Sequence, residues 1–586
     1  MFMKIANKIT HGPLSALLAG VLLCVACSNP VKKPTFGSTQ GIENGEPGPE
    51  SGNGSGGKKG TGGTVVIDPT KEKGGTTNPT ALKAIVVDPT TACKAMTSSN
   101  VPVLRLLTRV EYKNTVRDLF GITADYSQHL PLENITKGFR NNTVINQVTD
   151  SHLEAFLSNA KDIAAEVIPK MQNIAGCQVS AGASCAATFI KDVGAKIWRR
   201  PISTEESARL NGLFKTGAAI SSDEGFGLVI RALLTSPYFI YRTELGTAGK
   251  LDAYELASAL SYFLWSTIPD ETLRKNAESG ALLKEETLIS EAKRLLADPK
   301  GKAAVVAFAD SYLNYSSVLN VAKDTAKFST FTSQVREAMA KETEDSLDYW
   351  IRKKQSGFST LFSADATVGD PILAQFYKAQ AKKEGDLSMI SNTDSTRRGV
   401  LGMGSVLASL ATSTETHPIK RGEFVVSHLL CDILPPSPPN IAFPPAKPGL
   451  STRERFAAHS IPACAGCHKK LDGTGFGMED FDAVGSYRQM DEGKAVDASG
   501  DLFDIDEKDQ HFTGIGELSG LIAQSRQAKR CFAVQLFQQA QGRFVADSDV
   551  CGVRALVDTF SNKEMSVAEL IVKVITNPSY TTRGEK

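Results

Sequence analysis

Apolar residues recur at helical spacing along most of the chain beyond about residue 100. In one segment Val116, Leu119 and Phe120 follow Thr108 and Glu111, which have the spacing of a capping box at a helix start. Few stretches alternate between apolar and polar residues as half-buried strands do. The pattern predicts a mainly α protein, a helical scaffold of several subdomains with few strands.

Two further capping boxes have the same spacing. Ser203 and Glu206 precede a helical pattern that includes Leu210. Ser451 and Glu454 stand shortly before the cysteine-rich segment at 464–468. We therefore expect helices to begin at both places.

Two distant segments, 189–242 and 532–583, share an order of features. Each has an arginine, a helix with Leu and Phe, an apolar helix ending at Pro, and a final arginine. The residues are Arg199, Leu210, Phe214, Pro237 and Arg242 in the first segment and Arg543, Leu556, Phe560, Pro578 and Arg583 in the second. The shared order predicts a duplicated helical module, in which each proline ends a buried helix.

The N-terminus has the layout of a secretory signal. Lys4 and Lys8 precede an apolar run at 14–25, which is too short to span a bilayer as a helix. A small residue before Cys27 resembles a bacterial lipobox, and Ser28 would favour sorting to the outer membrane. We expect an exported protein of a Gram-negative bacterium, in the periplasm or at the outer membrane. Cys27 would be lipidated; the alternative is an ordinary soluble exported protein.

Residues 28–92 are rich in Gly, Ser and Pro and predict a disordered tether. The remainder of the 586 residues exceeds one compact core. We expect an N-terminal helical domain at 93–175, the first repeat copy at 176–246, a central helical domain at 247–395, a domain with the cysteine-rich segment at 396–510 and the second copy at 511–586. The net charge of +1, without a basic stripe, argues against nucleic-acid binding.

Cys464-Ala465-Gly466-Cys467-His468 is the clearest chemical motif of the chain. In C-x-x-C-H the two thiols bond the vinyl groups of a haem and the histidine ligates the iron. The motif predicts covalent haem c on Cys464 and Cys467, with His468 as the proximal ligand. We therefore expect residues 396–510, which contain the motif, to form a cytochrome c-like domain. The glycines of the segment after the motif would permit close packing on a flat cofactor.

The sequence does not identify the second axial ligand of the iron. Met478, Met490 and His459 are the main candidates for a sixth iron ligand. Other histidines that could serve are His417, His428 and His511. A vacant sixth position would permit chemistry on small molecules.

Two other interpretations of the motif stay open. Cys464, Cys467 and His468 could bind zinc together with Cys431 or His459. Alternatively, Cys464 and Cys467 could form a disulfide. Adjacent Cys and His are poorly placed to ligate one zinc ion, and export to an oxidising compartment favours haem over zinc.

Six further cysteines remain after the motif and the signal region are set aside: Cys93, Cys177, Cys185, Cys431, Cys531 and Cys551. An exported protein is expected to pair them. Closeness in sequence favours Cys177–Cys185 and Cys531–Cys551, which leaves Cys93–Cys431. Four acids, Asp497, Asp501, Asp504 and Asp506, could bind calcium or could serve as turn residues.

Several stretches together resemble the planctomycete-type cytochrome c domain family, which also occurs in myxobacteria and their relatives. They include Thr-Val-Arg-Asp-Leu-Phe-Gly at 115–121, Trp-Arg-Arg-Pro at 198–201, Ser-Pro-Tyr-Phe-Ile-Tyr-Arg at 236–242, the segments 106–112, 255–265, 398–401 and 420–422, the motif at 464–468, and Phe-Asp-Ala-Val-Gly-Ser-Tyr-Arg at 481–488. The resemblance implies an exported, haem-c-associated protein built from consecutive domains of unknown function. His459 matches a histidine often seen before the motif, whereas Ala259 and Leu471 depart from the usual Arg and Met.

These observations favour a membrane-tethered monohaem protein that transfers electrons in the cell envelope, with a redox protein as partner and the lipid anchor as its membrane contact. A haem-dependent oxidoreductase acting on a periplasmic or polymeric substrate is the first alternative. A non-redox envelope scaffold with structural disulfides is the second. No catalytic residue is assigned, because no hydrolase or phosphate-binding motif occurs.

Overall fold

The computed structural model of the protein describes residues 78–87, 103–391, 396–434, 444, 447–457 and 465–583, without the side chains of 457 and 465–467. The predicted signal peptide, the lipidation site Cys27 and most of the tether lie outside the described residues. So do Cys93, His459 and Cys464. The predictions made for them therefore stay predictions.

The first part of the described chain is helical, with one two-stranded antiparallel sheet in which β1 pairs with β2. Its elements are α1 (Pro79–Val86), β1 (Val103–Leu106), α2 (Arg109–Phe120), α3 (Asp150–Val167), α4 (Met171–Ala175), α5 (Ala183–Thr188), α6 (Ala195–Trp198), α7 (Thr204–Ala218), α8 (Ser222–Leu234), α9 (Pro237–Ile240) and β2 (Tyr241–Glu244). Both predicted capping boxes in this part are confirmed, at Thr108 and at Ser203. Gly121 ends α2 in the left-handed conformation, with φ 65°.

The central part continues the helical pattern and adds a three-stranded antiparallel sheet of order β3-β5-β4. Its elements are α10 (Ala253–Trp265), α11 (Glu271–Glu278), α12 (Glu285–Ala297), α13 (Lys302–Leu313), α14 (Ser333–Asp348), α15 (Phe358–Ser363), β3 (Ala366–Val368), α16 (Pro371–Tyr377), β4 (Gln380–Glu384) and β5 (Leu387–Ser391). Asp252 begins α10 by accepting the backbone N–H groups of Tyr254 and Glu255.

The last part holds the segment with the haem motif and two small hairpins. Its elements are α17 (Gly404–Ser409), α18 (Pro418–Glu423), α19 (Thr452–Ala457), α20 (Ala465–Phe476), β6 (Met490–Asp491), β7 (Lys494–Ala495), β8 (Ser499–Ile505), β9 (Lys508–Thr513), α21 (Gly514–Gln524), α22 (Arg526–Gln541), α23 (Val550–Asn562), α24 (Val567–Ile575) and α25 (Pro578–Thr581). The third capping box is confirmed, because Ser451 and Glu454 exchange both hydrogen bonds. The mainly α fold class is confirmed as well.

The described residues are organised around two hydrophobic clusters. The smaller cluster joins α2, α3, α7 and α8 through buried residues such as Tyr112, Phe156 and Phe226. The larger one joins helices from α1 and α10 through to the C-terminal helices. The helix α1 packs on α23, where Arg554 donates to the carbonyl of Ala84 at 2.7 Å. Cores therefore extend across the predicted domains, whose boundaries stay predictions.

The two segments of the predicted duplication have matching local geometry. In each, a helix ends at a left-handed residue, Arg199 with φ 59° or Gly542 with φ 58°. The next residue is an arginine whose guanidinium binds a carboxylate six residues later, Arg200 on Glu206 and Arg543 on Asp549. The counterpart of Arg543 is therefore Arg200, not Arg199 as the sequence order had indicated.

The ends of the two segments correspond in the same way. Ser236 and Asn577 each accept the N–H two residues on, at a helix whose first residue is proline. The arginines at the two ends, Arg242 and Arg583, both contact the carboxylate of Glu244. The local geometry supports the predicted duplication, which stays an inference.

Glu244 is the centre of a buried ion-pair cluster that joins these two segments. Arg105, Arg242 and Arg583 all contact its carboxylate, and all four side chains are less than 10% exposed. Burial alone would raise the pKa of Glu244, but the three guanidinium groups lower it to about 2. The carboxylate therefore keeps its charge inside the protein and ties the N-terminal sheet to the C-terminus.

Candidate functional site

The helix that carries the end of the haem motif, α20, lies directly against the backbone of α18. A methyl group on Gly475 would lie 1.9 Å from the carbonyl oxygen of Pro418, and one on Gly422 would lie 2.0 Å from that of Leu471. Only glycine permits two helices to approach so closely. These two glycines therefore fix the position of α20 on α18.

The same helix also contacts the β8–β9 hairpin. A methyl group on Gly473 would lie 2.9 Å from the carbonyl oxygen of Asp501, and one on Gly477 would lie 2.1 Å from the ring of Phe512. Gly473, Gly475 and Gly477 thus pack on neighbouring protein; that the segment also packs on a flat cofactor stays a prediction. Neighbouring protein on two sides holds the helix before any ligand binds.

His468 lies in the first turns of α20, and its ring is held by Asp472 one turn later. The Nδ1 atom of His468 is 3.0 Å from Oδ1 and 3.1 Å from Oδ2 of Asp472. A proton on Nδ1 satisfies this contact and leaves the lone pair on Nε2, the form in which a histidine binds a metal. The contact with Asp472 is therefore compatible with Nε2 as the nitrogen that would bind iron. Of the two motif cysteines, Cys467 is described only as backbone of α20.

The segment after α20 is fixed by Arg421, whose side chain is fully buried. Its guanidinium donates to the carbonyl oxygens of Met478, Phe481 and Asp482, at 2.6, 2.8 and 2.9 Å. The same group binds the carboxylate of Glu479 at 3.1 Å. One side chain on α18 therefore holds the turn that follows α20.

Asp480, in this turn, is a titratable group that the sequence analysis missed. Burial raises its pKa to about 7, although Arg421 and the backbone N–H of Ile515 lower it. It lines a cleft of about 490 Å³ together with Arg398, Thr513 and Glu517. Only the tertiary packing shows this carboxyl to be buried, so no local sequence signal could have identified it.

The two candidate methionines differ in burial and in the element that carries them. Met478 is fully buried in the larger hydrophobic cluster, beyond the C-terminal end of α20. His468 is about 12 Å from that end along the helix axis, eight residues at 1.5 Å each. Met490 is 55% exposed in the short strand β6. The role of either methionine at the iron, and with it the sixth ligand, stays an open prediction.

The other candidate histidines have structural partners. His417 accepts the backbone N–H of Lys420 at the start of α18, and burial lowers its pKa to about 4. Burial also lowers the pKa of His428 to about 4, and its ring stacks near that of Phe424. His511 is exposed and contacts Asp501 at 3.0 Å. Whether one of the three histidines serves as a sixth ligand stays a prediction.

Two disulfides are present among the described residues. The predicted pair Cys177–Cys185 is confirmed, with a Cα–Cα distance of 5.5 Å. The second disulfide is Cys431–Cys531. The predicted pairs Cys531–Cys551 and Cys93–Cys431 are therefore wrong, as is a zinc site that uses Cys431.

The physical reason for the second disulfide is helix packing. The segment Phe424–Leu429 packs on α22, where Gln535 donates to the carbonyl of His428. This contact brings Cys431 to Cys531, although 100 residues separate them in sequence. The disulfide ties the segment that directly follows α18 to α22.

The four acids that could have bound calcium each have another role. Asp497 accepts the N–H of Ser499, Asp501 contacts His511, and Asp504 binds Lys470 at 3.1 Å. Asp506 accepts two backbone N–H groups at the start of α22. Within the described ranges, no group of three or more His, Cys, Asp or Glu is arranged to hold a metal ion. The turn interpretation fits these contacts.

Five family models, each described as a protein of unknown function, match the chain one after another. They are DUF1587 at 105–169, DUF1595 at 185–244, DUF1592 at 251–379, DUF1588 (PSCyt3) at 397–491 and DUF1585 at 508–580. No curated protein and no solved structure matches the chain. No helix in the described ranges has the length and apolar character of a membrane span. With these five consecutive domains, the chain belongs to the planctomycete-type cytochrome c domain family.

Proposed function

We propose that this protein is an exported, membrane-anchored c-type monohaem protein that transfers single electrons in the cell envelope. The observation that carries the proposal is the contact between His468 and Asp472, directly after the two cysteines of the motif. Cys464 and Cys467 would form thioethers to haem, and His468 would bind its iron through Nε2. Bound haem would supply a one-electron couple.

The scaffold around α20 suits electron transfer. The glycine contacts with α18 and the buried Arg421 hold the helix and the turn after it, so little of the protein has to move when the charge of the site changes. The two disulfides fit a protein that matures in an oxidising compartment. Lipidation at Cys27 would supply the membrane anchor, and a soluble redox protein would be the electron partner.

Anaerobic reductive titration tests this function. Protein matured in a periplasm with haem-c ligation machinery should take up one electron per chain and return it to an oxidant. The variant His468→Ala, matured in the same way, should lose the reversible couple of the wild type. A matured wild type without a one-electron couple would contradict the proposal and favour the non-redox scaffold.

A second candidate is a haem-dependent oxidoreductase, and the cleft beside Asp480 is the observation that favours it. A carboxyl whose pKa lies at about 7 can give or take a proton near neutral pH. Peroxide consumption with an added electron donor distinguishes the two candidates. Turnover that falls at least tenfold in Asp480→Asn, with haem content unchanged, would favour the enzyme.

A further inference from the structure

The partner of His468 is a charged carboxylate, not a neutral carbonyl. Both oxygens of Asp472 lie within 3.1 Å of Nδ1. The two side chains are 19% and 15% exposed, so water screens the contact only in part. A hydrogen bond to an ionised acceptor is about twice as strong as one between neutral groups.

We propose that Asp472 is a positioning residue which, through the Nδ1 proton of His468, lowers the reduction potential of haem bound at this site. The inference rests on the proposed function. A carboxylate partner raises the basicity of a metal-bound histidine. A more basic imidazole gives more electron density to iron, which stabilises the ferric state over the ferrous state.

The lysines of the same helix have other partners. Lys470 binds Asp432 at 2.9 Å and Asp504 at 3.1 Å. Lys469 lies 4.2 Å from the ring centre of Phe503. Both amino groups thus contact the surrounding protein, while the Asp472 carboxylate contacts the imidazole of His468.

The charge of Asp472 can be removed with little change in shape. Asp472→Asn keeps the size of the side chain and one oxygen that can accept from Nδ1. Asp432→Asn is the matched control, because it removes a carboxylate that contacts the same helix through Lys470 instead of His468. Comparing the two separates the hydrogen bond from the general effect of one lost negative charge.

The measurements are covalent haem content, by pyridine haemochrome, and the ratio of oxidised to reduced protein at a fixed applied potential. We expect equal haem content in the wild type and both variants. The ratio of oxidised to reduced protein should fall about tenfold in Asp472→Asn. For a one-electron couple this corresponds to a reduction potential about 59 mV higher than that of the wild type. In Asp432→Asn the ratio should change less than about twofold, since that carboxylate contacts Lys470 instead of the imidazole and is partly screened by water. The iron–histidine stretching frequency should fall only in Asp472→Asn.

Equal ratios in Asp472→Asn and Asp432→Asn, with haem present in both, would overturn this inference alone. A wild type without covalent haem would overturn the proposed function and this inference with it. Asp472→Glu keeps the charge and should stay within about threefold of the wild-type ratio. A tenfold fall in Asp472→Glu would overturn the inference even where Asp472→Asn does not accumulate.

Discussion

Replacing Gly422 by alanine should loosen the helix that carries His468. The new methyl group would lie 2.0 Å from the carbonyl oxygen of Leu471, whereas real Cβ atoms essentially never come within 3.0 Å of another heavy atom. The two helices would have to separate by 3.0 − 2.0 = 1.0 Å or more. The carbonyl belongs to the backbone and the position of a methyl carbon is fixed by the backbone, so neither can rotate away.

The expected cost follows from two opposing effects. Overpacking of this kind destabilises by about 1–3 kcal/mol, and the clash here is with backbone, at the upper end. The better helix propensity of alanine opposes this loss and stabilises the helix by up to about 1 kcal/mol. We therefore expect local stability around α20 to fall by about 2 kcal/mol, which is roughly a 30-fold change in the opening equilibrium.

Hydrogen exchange followed by mass spectrometry measures this change directly. Peptides from 418–423 and 465–476 should exchange about 30-fold faster in Gly422→Ala than in the wild type. The matched control is Gly212→Ala in α7, where a methyl group would meet nothing within 4 Å. The control should leave exchange in α20 unchanged and should slow it slightly in α7. Unchanged exchange of 465–476 in Gly422→Ala would refute the close helix contact as the feature that fixes α20.

Three further predictions concern stability and disulfides. Glu244→Gln should destabilise the protein by about 3–5 kcal/mol in chemical unfolding, because buried Arg105 and Arg583 lose their carboxylate partner and Arg242 keeps only Glu111. The pKa of Glu244 is about 2 in the folded protein and has the ordinary value of 4.5 in the unfolded chain, so the wild type should lose this contribution as the pH falls from about 4.5 to about 2. A Glu244→Gln variant with the same acid dependence would contradict the assignment. Replacing Cys431 and Cys531 together by alanine should lower the free energy of unfolding by about 4–5 kcal/mol under oxidising conditions, as expected for a disulfide that closes a loop of 100 residues. An unchanged denaturation midpoint would exclude a stabilising role for this disulfide. Peptide mapping without reduction should find Cys93 linked to Cys551, the remaining members of the six, and a free thiol at either position would contradict this pairing.

The parts of the fold that were predictable depend on neighbours in sequence. The capping boxes at Thr108, Ser203 and Ser451 were predictable because two residues three positions apart carry both hydrogen bonds of each box. The disulfide Cys177–Cys185 was predictable because only eight residues separate the two cysteines. Short-range signals of this kind do not depend on how the helices pack.

The features that could not be predicted depend on contacts between distant segments. Cys431 meets Cys531 because the segment directly after α18 packs on α22, and no local sequence pattern shows this contact. The glycine Gly475 suggested contact with a cofactor, but it faces the backbone of Pro418. Asp480 has a raised pKa only because tertiary packing buries it. In the candidate site, the sequence alone identified the motif, whereas the contact of His468 with Asp472 was found only in the structure.

The most direct test of the central claim is the pyridine haemochrome spectrum of the full chain after maturation in a periplasm with haem-c ligation machinery. A Cys464→Ala/Cys467→Ala variant, matured in parallel, is the control. The account predicts a covalent c-type spectrum with one haem per chain in the wild type and none in the control. An exported, folded wild type without covalent haem would contradict the account and would make the scaffold alternative the better description of this protein.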